Sequence, residues 1–289
     1  VLYDLGHVST PEPFKRLINQ GYIQAYAYVD ERGIYVDASE VVETADGYFH
    51  DGGPVERQYG KMGKSLKNSV TPDDMYETFG ADTLRLYEMF MGPIDQDRPW
   101  ETKSVIGSHR LLQRIWRNLV DEDTGALTVA DTDADDDLRR ALHRTIAAVR
   151  ADMDDLGFNT AIARITELNN EITKRDGPTP REIAHPLVRM IAPLVPHVAE
   201  EQWHRMGESG SIVYARFPEA EPPLLVDDQI EIPVQVSGKV RSRVMVSVDA
   251  DEAATRSTAL ADPRIAGLLE DQEIRKVIVV PGKLVNVVV

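Results

Sequence analysis

Tyr59-Gly60-Lys61-Met62-Gly63-Lys64-Ser65-Leu66-Lys67-Asn68, continuing into Ser69-Val70-Thr71-Pro72-Asp73-Asp74, sets the organisation of this 289-residue chain. Lys61 and Lys64 stand three residues apart, glycine flanks them and Lys67 follows, so several ammonium groups crowd a short segment that can bend. Thr71 is placed to cap a helix, Pro72 suits its first turn, and Asp73 and Asp74 complement the positive end of its dipole. A cationic loop ahead of a fixed helix start suits a triphosphate, whose oxygens gain charge during phosphoryl or nucleotidyl transfer. The same residues also read as an ordinary solvated lysine loop.

The length allows about two domains with real cores. A formal charge of −16 disfavours nucleic acid as a partner unless cations are clustered locally, because phosphate contacts need local positive patches. With no cysteine there is neither a disulfide framework nor a thiolate metal site, and the seven histidines lack paired ligand spacing, so no metal and no structural zinc are expected. No apolar run reaches membrane-spanning length and the first residues do not read as a signal peptide, so a soluble cytoplasmic protein without a membrane partner is the expectation.

The opening, Val1-Leu2-Tyr3-Asp4-Leu5-Gly6-His7, reads as starting in mid-element, which suggests part of a larger assembly. Ser9 and Glu12 have capping-box spacing, with Phe14, Leu17 and Ile18 forming an apolar face, and predict a short helix ended by Gly21. Residues 22–29 and 34–42 read as strands around Asp30-Glu31-Arg32-Gly33, with a third at Tyr48-Phe49 before the turn Asp51-Gly52-Gly53-Pro54. Helices are predicted over 72–79 and 82–91, broken at Gly80, and over 105–120 from the spacing of Val105, Leu112, Ile115, Trp116 and Leu119. Residues 121–137, acidic and free of lysine and arginine, read as an exposed connection.

Helical spacing returns over 138–156 and 158–172, and a capping box of Thr179 with Glu182 opens a further helix that Pro186, Pro193 and Pro196 should kink or divide. Four such helices argue for a bundle, in which His185, His197 and His204 read as packing or surface residues. Beyond the Pro222-Pro223 linker, alternating valines and isoleucines around Ser237-Gly238 predict a hairpin, followed by helical segments and a second hairpin across Pro281-Gly282-Lys283. Lys239, Arg241, Arg243, Arg275, Lys276 and Lys283 gather near the turns and strand ends of this β-β-α-β-β tail, as a phosphate-contacting face or as ordinary exposed charge.

Four of these segments resemble a known family. Lys61-Met62-Gly63-Lys64-Ser65 with Asn68 and Gly80-Ala81-Asp82-Thr83-Leu84-Arg85 resembles the Lys-Met-Ser-Lys-Ser signature of class I aminoacyl-tRNA synthetases, Gly63 standing where serine is usual. Pro193-Leu194-Val195-Pro196-His197 through Trp203 resembles the anticodon-binding helix of the leucyl, isoleucyl, valyl and methionyl enzymes. The strands ahead of the loop, and 234–241 with 274–286, are similar to the insertion and C-terminal domain of bacterial leucyl-tRNA synthetases.

The resemblance implies a multidomain α+β chain, the C-terminal portion of such an enzyme. Its parts are the end of the catalytic segment (1–23), a small β insertion (24–58), the signature loop and stem-contact segment (59–100), an α-helical bundle of the anticodon-binding type (101–217), a linker (218–228) and a C-terminal tRNA-binding domain (229–289). It further implies leucine–tRNA ligation through an adenylate, with ATP and Mg²⁺ as cofactors. Lys61 and Lys64 would be catalytic; Lys61, Met62, Gly63, Lys64 and Ser65 would bind ATP; and Lys239, Arg241, Arg243, Arg275, Lys276 and Lys283 would bind tRNA. The implied partners are leucine tRNA and the N-terminal catalytic and editing portion, without which the isolated chain is expected to be inactive. A non-catalytic tRNA-binding or scaffolding module is the alternative.

Overall fold

The computed structural model describes residues 1–226, 229–248, 250–270 and 272–289, and these form two compact units, Val1–Ala220 and Glu221–Val289. Residues 227 and 228, the end of the expected linker, lie outside the described residues.

The first unit opens on a sheet of β1 (Ile23–Val29), β2 (Tyr35–Val36), β3 (Val42–Thr44), β4 (Gly47–His50) and β5 (Gly53–Lys61), ordered β2-β1-β5-β4-β3, with β6 (Arg98–Pro99) parallel to β1. The antiparallel register sets Lys61 opposite Gln24, Tyr59 opposite Tyr26 and Arg57 opposite Tyr28. The expected turn at 51–54 narrows to Asp51 and Gly52, and the expected loop from 59 is corrected: residues 53–61 are the longest strand of this sheet. Most of β5 is exposed on both faces, so the inward/outward alternation that marks a half-buried strand is missing.

A second correction concerns residues 9–21, which form no helix and leave Phe14 and Leu17 81% and 85% exposed. Glu12, the intended capping partner, instead accepts from the Phe14 amide. It also precedes Pro13, which disfavours helical backbone at position 12, and no burial of the apolar face offsets the ordering of so short a helix.

Helices follow in the order α1 (Pro72–Phe79), α2 (Ala81–Phe90), α3 (Thr102–Arg117), α4 (Asp136–Asp154), α5 (Phe158–Thr173), α6 (Arg181–Ile191) and α7 (Pro196–Arg205). Thr71 Oγ1 accepts from the Asp74 amide at 3.4 Å, and Gly80, at φ 82°, supplies the left-handed break between α1 and α2. Apolar residues of α2 to α7, among them Leu86, Ile115, Leu142, Ile165, Leu187 and Trp203, join one core, which is why 3.6-residue spacing is so plain in this part of the chain.

Residues 121–137 are more fastened than their charge suggests. Val120 bridges to Leu127, β7 (Val129–Ala130) pairs with β8 (Thr179–Pro180), and Asp135 caps α4 through the Leu138 amide at 2.8 Å. The acids meet arginines distant in the chain: Asp135 with Arg175, just past α5, and Asp131 with Arg181 of α6, each at 2.7 Å. The expected capping box is also absent, because the Thr179 amide is already bonded to the Thr128 carbonyl in the β7–β8 pair. Thr179 Oγ1 donates to the Asn118 carbonyl, while Glu182 accepts from the Ala134 amide and pairs with Arg139.

The hydrogen bonds from Arg175, then the Leu138 amide, pull the Asp135 carboxyl down to about 2. A carboxylate whose folded pKa lies below its unfolded value of about 3.9 adds stability above that value and loses it as the pH falls toward the folded pKa. Arg175→Ala is therefore expected to raise the pH of acid unfolding. Thermal melts between about pH 4 and pH 2 check this, and coincident curves for the two proteins refute it.

In the second unit a turn of helix, α8 (Pro222–Leu225), precedes β9 (Gln229–Val236), β10 (Lys239–Ser247), α9 (Glu252–Ala261), α10 (Pro263–Leu269), β11 (Lys276–Val280) and β12 (Leu284–Val288). The strand order is β10-β9-β12-β11, with β12 parallel to β9 and the other neighbours antiparallel. Ser237 and Gly238, both at positive φ, make the tight turn, and Ile232, Val234, Val244, Val246, Val285 and Val287 pack with Ala259 and Ile265. Among the described residues no helix is long and apolar enough to cross a membrane.

Candidate functional site

β5 delivers Lys61 as its last residue, and the Met62 amide donates to the Ile23 carbonyl at 2.9 Å, so the sheet fixes the start of the lysine segment. Gly63 is extended (φ 174°, ψ 162°), Lys64–Leu66 form one 3-10 turn, and Lys67 adopts left-handed backbone with its carbonyl accepting from the Ala38 amide. The segment folds back until a Cβ on Gly60 would lie 3.2 Å from Leu66 Cδ1, a close approach that favours glycine there.

Asn68 closes the loop. Its side-chain oxygen accepts from the Gly63 amide at 2.9 Å and its amide donates to the Ala25 carbonyl at 3.1 Å, with the residue only 4% exposed. Lys61, Lys64, Ser65 and Lys67 remain exposed around this clasp. Lys61 Nζ lies 4.3 Å from the centre of the Tyr22 ring, a hold of about 0.5–1 kcal/mol at an exposed site, weak enough to yield to a phosphate. A rigid base carrying free ammonium and hydroxyl donors is what an anionic chain of phosphates requires.

Asn68 is the residue that motif reading undervalues: it appears in the quoted signature but bears no charge, and only its burial shows its work. Asn68→Ala would leave the Gly63 amide unpaired and remove the side-chain bond to the Ala25 carbonyl, with an expected loss of about 1–3 kcal/mol. Gly63→Ser should cost little, because the backbone is extended and nothing lies within 4 Å of the added Cβ. Chemical denaturation of both variants tests this contrast, and equal stability would remove the asparagine from its assigned place.

The loop is anchored to the helices beyond it. Asp82, 6% exposed in the first turn of α2, accepts from the Val198 amide at 2.7 Å and faces His197 Nδ1 at 2.8 Å, so it caps α7 from another helix. Arg85, one turn on, donates to the carbonyls of Pro193 and Leu194 at the break between α6 and α7. The Gly80-to-Arg85 and Pro193-to-His197 segments, far apart in the chain, thus meet. Beside them lies a cavity of about 480 Å³ lined by Phe79, Asp82, His109, Trp116 and His197. His185 lies 5.3 Å, ring to ring, from Trp203 and 3.1 Å from Glu208, and burial pulls its pKa down.

The six basic residues of the tail are exposed but do not form one patch. Lys239 opens β10, Lys276 pairs with Val288 at the start of β11, and the Arg275 amide bonds the Val288 carbonyl. Because β12 runs parallel to β9 and antiparallel to β11, these three share one end of the sheet. Arg241 falls at a bulge and Arg243 pairs with Glu231 at 2.9 Å, while Lys283 sits in the β11–β12 turn at the opposite end.

A family model described as the anticodon-binding domain of tRNA ligase matches residues 135–256. The leucine–tRNA ligase of Saccharopolyspora erythraea is 58% identical over 290 residues, covering 100% of this chain and 30% of that protein. Those of Salinispora arenicola and Mycobacterium ulcerans are 57% and 55% identical, again over 100% of this chain and 30% of each protein. Among solved structures, a ternary complex of Agrobacterium radiobacter K84 LeuRS, tRNA and LeuAMS has a TM-score of 0.63 at 27% identity, covering 99% of this chain and 35% of that one. The chain therefore spans about a third of the length of the proteins it matches.

Proposed function

We propose that this chain, which matches leucine–tRNA ligases along its whole length, is the C-terminal portion of such an enzyme and supplies its phosphate loop and tRNA-binding parts. The full enzyme joins leucine to its tRNA through leucyl-adenylate at the expense of ATP. An alignment at 58% identity that runs through sheet, loop, bundle and tail together is the observation that carries this reading.

In it, Lys61 and Lys64 contact the phosphates as pyrophosphate departs, Ser65 donates a hydrogen bond, and Met62 and Gly63 shape the loop. Exposed donors on a base held by Asn68 and by the Thr71 cap support those roles. The described residues contain no group of three or more carboxylate or histidine ligands, so the Mg²⁺ used with ATP is assigned to no side chain here and no step runs through it. The matched 135–256 region supports an anticodon-side role for the bundle, and the shared end of the tail sheet supports a contact of Lys239, Arg275 and Lys276 with tRNA backbone.

Mixing the chain with a polypeptide carrying the rest of the relatives' length should restore leucine-dependent pyrophosphate exchange. If exchange stays absent while tRNA binding persists, the chain is a tRNA-binding module instead. Replacing Lys239, Arg275 and Lys276 together by alanine is expected to weaken filter binding of leucine tRNA and to lower the salt slope by about 0.7–0.9 per lost phosphate contact. An unchanged slope removes the tail from the contact.

A further inference from the structure

The sheet that leads to the lysine loop carries on one face a set of groups that its packing does not use. Tyr26 stands opposite Tyr59 with ring centres 5.2 Å apart, and Tyr28 lies 5.3 Å from Tyr48. The Arg57 guanidinium sits between them, 4.2 Å from the Tyr26 ring and 4.6 Å from the Tyr48 ring, and Lys61 over Tyr22 extends the same row to the loop. Cross-strand contact shows that β1, β4 and β5 present these side chains on one side, while Gly60, of opposite parity, lies against Leu66.

The row remains open to solvent. Tyr22, Tyr26 and Tyr59 are 55%, 42% and 47% exposed, and none belongs to a core cluster. The tyrosine hydroxyls, ordinarily neutral at physiological pH, add no negative charge, and burial raises the pKa of Tyr28, Tyr48 and Tyr59 further. The acids at its margins are engaged: Glu43 accepts from the Tyr48 hydroxyl, and Asp97 from the Tyr22 amide and the Gln24 side chain.

We propose that this tyrosine–arginine face binds an unpaired RNA strand, stacking bases on Tyr22, Tyr26 and Tyr59 while Arg57 and Lys61 meet the phosphates. Exposed rings interleaved with cations along a sheet are a sequence-tolerant platform for single strands, because every base has a face to stack, whereas paired bases in a duplex hide theirs. Charge complementarity favours the same occupant, since the row carries Arg57 and ends at Lys61, the first residue of the exposed lysine loop. Assigning the strand to the unpaired end of a tRNA rests on the function proposed above; binding of an unpaired strand does not.

The test uses the chain itself with a labelled oligouridylate of about 12 nucleotides, within the range one such platform covers, and a blunt RNA duplex of the same length. Tight, salt-sensitive binding of the single strand over the duplex is expected. The double variant Tyr26→Leu/Tyr59→Leu should raise the dissociation constant at least tenfold, and Arg57→Gln, which leaves the rings in place, should raise it several-fold. Lys64→Ala, off the tyrosine row, should change it less than either, even where it strongly slows pyrophosphate exchange in the completed enzyme. Circular dichroism confirms that each variant is folded. The proposal is overturned if the unaltered chain does not bind the single strand at low salt, if it prefers the duplex, or if the folded double variant binds as the unaltered chain does.

Discussion

Lys64→Ala, made in the completed enzyme, is expected to slow leucine-dependent pyrophosphate exchange by about 10²–10³-fold, the loss typical of one preorganised donor at a developing charge. The structure makes so large a loss reasonable. Strand β5, the Asn68 clasp and the capped start of α1 hold the segment on both sides, so no neighbouring lysine can move over without breaking buried hydrogen bonds. Lys67 is the nearest alternative in sequence, yet its left-handed backbone is tied through its carbonyl to the Ala38 amide. If the ammonium acts mainly on the transition state, kcat should fall with little change in KM for ATP. Lys61→Ala should behave in the same way, after allowing for the weak hold of Tyr22 on that side chain. Exchange at an undiminished rate after both are neutralised would end the reading of the loop as catalytic.

What could be read without coordinates follows from how each segment meets water. From α2 to α7, one stripe of each helix faces a common core, so Leu112, Ile115 and Leu119, or Ile162, Ile165 and Leu168, announce both helix and buried side. The Ser237–Gly238 hairpin is equally plain, since valine and isoleucine alternate against α9 and α10. β5 lacks this contrast because neither of its faces is deeply buried. Residues 9–21 mislead in the opposite way, with the spacing of an amphipathic helix and no surface that covers it. Tertiary partners are the other blind spot: the quoted signature segment does not show that Asp82 and Arg85 grip the Pro193-to-Val198 break, and residues 121–137 read as an exposed connection until Arg175 and Arg181 are placed. At the loop, Lys61 and Lys64 were legible from their charge. The tyrosine row was not, because Tyr26, Tyr48 and Tyr59 come together only through strand register.

Leu187→Ala is expected to cost about 2–5 kcal/mol of stability, since removing a fully buried side chain leaves a cavity that its surroundings only partly fill. Leu187 is 0% exposed in α6, the helix that packs against α4, α5 and α7, and it follows Pro186, which donates no amide hydrogen bond inside that helix. With one backbone bond already missing there, α6 depends on side-chain packing to keep its course toward the break that Asp82 and Arg85 grip. For a unit of this size each kcal/mol lowers the melting temperature by roughly 2–4 °C, so a fall of about 4–20 °C is expected in a thermal scan. Below its own melting point the variant should retain pyrophosphate exchange in the completed enzyme, whereas Lys64→Ala should melt like the unaltered protein and fail in exchange. That double dissociation separates the residue that holds the bundle from the residue proposed to meet the nucleotide. A melting temperature within about 2 °C of the unaltered protein, a cost below about 1 kcal/mol, would mean that Leu187 does not occupy a close-packed centre.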